Sequence, residues 1–69
     1  MVRQGSEVKW KWGKGEAEGE VKETYTDSVS KTIEGNEVTR HGEQGNKALY
    51  IETSDGKHVL KLESEVEKL

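Results

Sequence analysis

The sequence has no cysteine, no proline and no phenylalanine. Without cysteine there are no disulfides and no thiol chemistry, and the chain has no covalent staple to compensate for a small core. Without phenylalanine, each remaining large apolar side chain carries more of that core. No stretch approaches the ~18 consecutive apolar residues of a membrane span. The opening "MVRQGSEV" lacks the apolar h-region of a secretory signal. These absences point to a soluble, cytoplasmic protein with no membrane partner.

What is present is a chain of 69 residues, enough for one domain spanning 1–69. A domain of this size buries only about 60% of its unfolded surface. The core is expected to draw on Trp10, Trp12, Tyr25, Tyr50, Val8, Val21, Val29, Ile33, Val38, Leu49, Ile51, Val59, Leu60 and Leu62. Charged residues make up 36%, a composition that leans towards disorder. The net charge is only -3, however, and the apolar residues are spaced in order, so the chain is expected to fold.

Period two dominates that spacing. In "EVKWKW", Val8, Trp10 and Trp12 share one face and Glu7, Lys9 and Lys11 the other, the mark of a half-buried strand. "GKG" at 13–15 suits a tight hairpin. In the return segment "EAEGEVKETYT", strict alternation places Ala17, Gly19, Val21, Glu23 and Tyr25 on one face, the small residues making room for the tryptophans. Charge agrees with this pairing. Arg3, Lys9, Lys11 and Lys14 precede the turn, and Glu16, Glu18, Glu20 and Glu23 follow it. Opposite charges across a strand pair contribute roughly 0.2–1 kcal/mol each.

Further on, "TDS" at 26–28 is a turn. "VSKTIE" is a strand that "GN" at 35–36 bends or bulges before "EVTR". "HGEQGNK" reads as the longest loop, "ALYIET" as a strand, "SDG" as a hairpin turn and "KHVLKLE" as the last strand. In "SEVEKL", Ser64 and Glu67 have capping-box spacing, which predicts a helical turn with Val66 and Leu69 lying over an open end of the sheet. The predicted fold is all-β: a small five-stranded SH3-like barrel with a short C-terminal helical turn. Closing the sheet would remove its exposed edges.

Three segments taken together, "VKWKWGKGEAEGEV", "TIEGNEVTR" and "DGKHVLKLESEVEKL", resemble the hypervirulence-associated protein TUDOR-domain family over roughly residues 5–68. The resemblance implies a Tudor-like barrel and supplies no catalytic residue. It departs at "HGEQGNKALY", which lacks the proline of the family's loop.

A Tudor-type barrel implies an interaction module that binds protein or peptide, with an aromatic box near one end gripping a methylated Lys or Arg. Cation–π attraction supplies the grip, about 0.5–1 kcal/mol per exposed contact. Trp12 beside the turn, together with Tyr25 or Tyr50, is the candidate contact set. The competing reading is that all four aromatic rings are core. An alternative function is nucleic-acid binding through Lys9, Lys11, Lys14 and Arg40, against which stands a sequence pI near 5.4. A third is a structural, self-associating protein, monomer or weak homodimer. No cofactor and no metal site are expected, because His41 and His58 lie far apart and have no ligand spacing. Enzymatic activity is not expected either. No nucleophile motif accompanies the histidines, and "GKGEAEG" lacks the spacing of a phosphate-binding loop.

Overall fold

The two-residue apolar period of the sequence becomes a set of antiparallel strands. The structure, a computed structural model, describes residues 2–69. The strands are β1 (Glu7–Trp12), β2 (Gly15–Tyr25), β3 (Ser28–Ile33), β4 (Asn36–His41), β5 (Ala48–Thr53), β6 (His58–Leu62) and the two-residue β7 (Glu67–Lys68). Five form one sheet in the order β6-β5-β2-β1-β7, and β3 and β4 form a separate two-stranded sheet. Pairing therefore ends at β6 and β7, which are the edges of the larger sheet. No helix among the described residues is long and apolar enough to cross a membrane.

The all-β expectation holds, with seven strands among the described residues in place of five. Part of the difference lies at residues 34–35. The expected bend is a two-residue hairpin turn between Ile33 and Asn36. Glu34 and Gly35 take φ of 51° and 82°, and positive φ at both central positions is the requirement of a type I′ turn. The C-terminal turn also differs. Glu63–Glu65 form one 3-10 turn, and Glu67–Lys68 then pair with Lys9 and Val8 of β1. The Leu62 amide donates to Glu65 Oε1 at 2.8 Å, so the carboxylate cap sits two residues before the predicted one. A single helical turn is costly to nucleate, whereas the edge of β1 offers ready backbone partners: the Leu69 amide donates to the Glu7 carbonyl at 2.9 Å. Val66 packs on the core as expected. Leu69 is exposed.

The β1–β2 hairpin follows the sequence reading residue by residue. Val8 faces Gly19, Trp10 faces Ala17 and Trp12 faces Gly15, while Lys9 and Lys11 lie opposite Glu18 and Glu16. Gly13, at φ 57°, is the first of the two linking residues, the position that type II′ turns reserve for Gly. Gly19 is fixed by packing. A Cβ there would sit 2.5 Å from Ile51 Cγ2 and 2.6 Å from the Glu52 carbonyl oxygen, so β5 crosses where only glycine fits.

Alternation along β2 breaks once. Val21 pairs with Ile51, but Glu23 pairs with Tyr50, so β2 spends two residues where β5 spends one. A bulge of this kind bends the strand and reverses which residues face which side. Before it, Ala17, Gly19 and Val21 face the main core. After it, Glu23 and Tyr25 lie on the opposite face, contrary to strict alternation.

That core consists of Val2, Val8, Trp10, Val21, Leu49 and Ile51, with Ala17, Val59 and Val66 packed around it. Leu49, Ile51, Val8 and Val21 are fully enclosed, each worth about 1.5–3 kcal/mol of burial. Leu60 is buried outside this cluster. It pairs with Tyr50, one residue before Ile51 and therefore on the other face of the sheet. The β3–β4 hairpin lies against that second face and alongside β6. Three ion pairs tie it down: Lys31–Glu23 at 3.0 Å, Arg40–Glu65 at 3.5 Å and Glu34–Lys57 at 3.8 Å.

Candidate functional site

Trp10 and Trp12 are two residues apart on one strand and have opposite fates. Trp10 is 6% exposed and Trp12 73%. Both project towards the core side, but β1 runs past the end of the core at its hairpin turn, and the last ring emerges into solvent. Trp12, included above among the expected core residues, is therefore a surface aromatic. It lines a cleft of about 530 Å³.

The walls of the cleft come from three turns. The β1–β2 hairpin supplies Trp10, Trp12, Glu16, Ala17 and Glu18. The β5–β6 turn supplies Asp55 and Lys57, and the start of β6 His58 and Val59. The β3–β4 turn contributes Glu34. The floor is apolar, from Trp10, Ala17 and Val59, and the β3–β4 and β5–β6 turns bring Glu34, Asp55 and Lys57 to the rim; Glu16 and Glu18 alternate with Ala17, so their carboxylates share the opposite face with Lys9 and Lys11. Lys57 is turned towards Glu34, 3.8 Å away. The Thr53 hydroxyl donates to Asp55 and is the main cause of a carboxyl held below the usual range. Asp55 is therefore anionic at neutral pH. An exposed indole face with the Asp55 and Glu34 carboxylates beside it attracts an ammonium or guanidinium group through cation–π and Coulomb forces together.

The other two predicted aromatics are elsewhere. Trp12 pairs with Gly15, the first residue of β2, and Tyr25 is its last. The three rings therefore do not form one box. Tyr25 and Tyr50 are brought together by the bulge, on the face covered by the hairpin. Lys31 Nζ lies 4.9 Å from the Tyr50 ring centroid and 5.4 Å from that of Tyr25, within the ~6 Å reach of cation–π attraction. Glu23 accepts a hydrogen bond from the Tyr25 hydroxyl and is 3.0 Å from Lys31 Nζ. Tyr25 first, and Lys31 second, draw the Glu23 carboxyl below its ordinary range. Tyr25 and then Glu23 hold the Lys31 ammonium well above the ordinary lysine range. His58 stacks on Tyr50 at 5.0 Å with the planes 8° apart. His58 also lines the Trp12 cleft.

The basic stripe is interleaved with acid. Lys9 lies 3.9 Å from both Glu16 and Glu67, and Arg40 3.5 Å from Glu65. Lys11 faces Glu16 across the hairpin, and Lys14 is exposed at the turn. Among the described residues no group of three or more His, Cys, Asp or Glu side chains is arranged to hold a metal ion.

Sequence reasoning missed Lys31, Glu34, Asp55 and His58. For Lys31 a signal was present: a cation between Val29 and Ile33 on the apolar face of a strand needs a partner. Nothing local indicated that the 34–35 and 54–57 turns would meet at one cleft.

No curated protein and no solved structure matches the chain. The family model described as "Hypervirulence associated proteins TUDOR domain" matches residues 5–66, nearly the whole length, over the same hairpin, bulged strand and C-terminal segment whose packing is described above. The chain belongs to that family.

Proposed function

We propose that the protein is a binding module, not an enzyme, that takes a cationic side chain of a protein or peptide partner in the Trp12 cleft. One observation carries the reading: in a chain with two tryptophans, one stands 73% exposed beside a cleft whose rim carries Glu34 and Asp55. An exposed indole adds little to a core, while its π face and neighbouring carboxylates suit an ammonium or guanidinium group. Membership of a Tudor-domain family supports a role in binding protein or peptide. Two of the four residues available for phosphate contact, Lys9 and Arg40, already face carboxylates, which favours a cationic partner over a nucleic acid.

The test is a titration with N-methylated lysine and arginine and with a Lys/Arg-rich peptide, following the Trp12 indole resonance and its emission. Binding should shift Trp12 and weaken with salt, and Trp12→Ala should abolish it while Tyr25→Phe leaves it intact. A Trp12 signal unmoved by every cation would refute the reading. Tight, steeply salt-dependent binding of single-stranded oligonucleotides would favour the nucleic-acid alternative instead.

A further inference from the structure

Lys31, Tyr25, Tyr50 and Glu23 make an arrangement that the Trp12 cleft does not use. Two aromatic rings face one ammonium at nearly equal distances, 4.9 and 5.4 Å, and a carboxylate lies 3.0 Å from the same nitrogen. The carboxylate is itself held by the Tyr25 hydroxyl. Two features make it a preformed site and not an incidental surface pair. The bulge between Val21 and Glu23 is what turns Glu23 and Tyr25 to this face, and the pairing of Glu23 with Tyr50 fixes the carboxylate and the second ring side by side. His58, stacked on Tyr50, holds that ring in place. Lys31, by contrast, arrives from a separate sheet, on the end of a four-carbon stem.

We infer that Tyr25, Tyr50 and Glu23 form a second cation site, distinct from the Trp12 cleft, which the protein fills with its own Lys31 as an internal competitor for ammonium or guanidinium ligands. The occupant is tethered, so its effective concentration at the site is of the order of millimolar or higher. Outside cations are excluded until Lys31 withdraws. Withdrawal also releases one of the three ion pairs that hold β3–β4 against the larger sheet. Occupation of the site by an outside cation and docking of the hairpin are therefore opposed, and by linkage each weakens the other.

The experiment is chemical rescue. In Lys31→Ala, n-butylammonium replaces the deleted stem and charge, and n-butanol is its neutral counterpart. The expected result has three parts. Butylammonium shifts the Tyr25 and Tyr50 ring resonances of the variant, with an apparent affinity at least about tenfold above that for the wild type. It restores amide protection to β3–β4. Butanol does neither, and the Trp12 indole is not needed for the response. The inference is overturned if the folded variant gives no ring shifts, if butanol acts as well as butylammonium, or if the wild type responds as strongly as the variant. Should Lys31→Ala fail to fold, the wild type decides alone. The Lys31 Hε protons must show an upfield ring-current shift relative to those of exposed Lys11, and that shift must vanish in Tyr50→Leu. Its absence overturns the inference. Loss of binding at Trp12 leaves this result untouched, so the two readings fail separately.

Discussion

Replacing each tryptophan by alanine separates core from cleft. Trp10 is 6% exposed and packs with Val8, Val21, Leu49 and Ile51. Truncating a buried Trp to Ala costs about 3–5 kcal/mol. A domain of this length has only about 3–10 kcal/mol of stability in total, so Trp10→Ala is expected to leave much of the population unfolded at 37 °C. Trp12 is 73% exposed. The quarter that is covered, at most about 60 Å² of an indole's surface, is worth no more than about 1.5 kcal/mol at 25 cal/mol/Å². At 4–8 °C per kcal/mol for a domain of this size, Trp12→Ala lowers the melting temperature by about 12 °C at most. The assay is thermal unfolding by far-UV circular dichroism, with emission recorded on both single-tryptophan proteins. The Trp12→Ala protein should emit at short wavelength and resist iodide. Any folded Trp10→Ala protein should emit at long wavelength and be quenched. If Trp12→Ala destabilises as much as Trp10→Ala, or if the two emission spectra are exchanged, Trp12 is a core residue and the cleft loses its reason to exist.

Other expectations follow from single contacts. Gly19→Ala drives a methyl into the Glu52 carbonyl and Ile51, and because backbone cannot yield as a side chain does, the loss should be about 1–3 kcal/mol of overpacking strain, read as a fall in denaturation midpoint. Glu23 has a depressed carboxyl pKa, so its contribution is fully present above about pH 4.5 and is lost as pH falls through the lower folded value. Tyr25 and Tyr50 ring shifts should titrate in that acid window, and Glu23→Gln should remove the transition. Glu34 sits at φ 51°, which costs a non-Gly residue about 1–2 kcal/mol. Glu34→Asn, better suited to the turn, should raise the melting temperature and weaken cation binding at the Trp12 cleft, seen by calorimetry. At 1 M salt, where the Debye length shrinks to about 3 Å, amide exchange should quicken in β3–β4 and hold steady in β2 and β5.

How much of this was legible follows from the range of the interactions. The β1–β2 hairpin is local, and its register, its Lys–Glu pairing and its large-against-small packing were all readable in "VKWKWGKGEAEGEV". The bulge was not. It is a property of how β2 meets β5, a partner nearly thirty residues away, and nothing in "GEVKETY" marks the skipped residue. That single slip moved Tyr25 off the core face to join Tyr50, and Trp12 stands at the other end of β2, so a site drawn from three aromatics became two separate places. Glu34–Gly35 shows a different limit. Gly alone reads as a bend, and a type I′ turn was hidden because a glutamate stands where Asn or Asp is the usual signal.

The strained glutamate and the exposed tryptophan belong to one physical argument. Backbone held in a sparsely populated region, like an apolar ring left in water, opposes folding and persists only where surrounding structure or function compensates. Here the two meet at one cleft: the turn that forces Glu34 to positive φ also places its carboxylate at the rim near Trp12. At the other aromatic place nothing is left unsatisfied, because Lys31 already supplies the charge that Tyr25, Tyr50 and Glu23 are arranged to receive. Lys57 does not play that part for Trp12, since it is turned to Glu34. On the two proposals made above, the protein carries two aromatic, carboxylate-bearing sites of like chemistry, one closed by its own lysine and one open. The open one is where stability has been given up, and it is there that a partner's cation has something to gain.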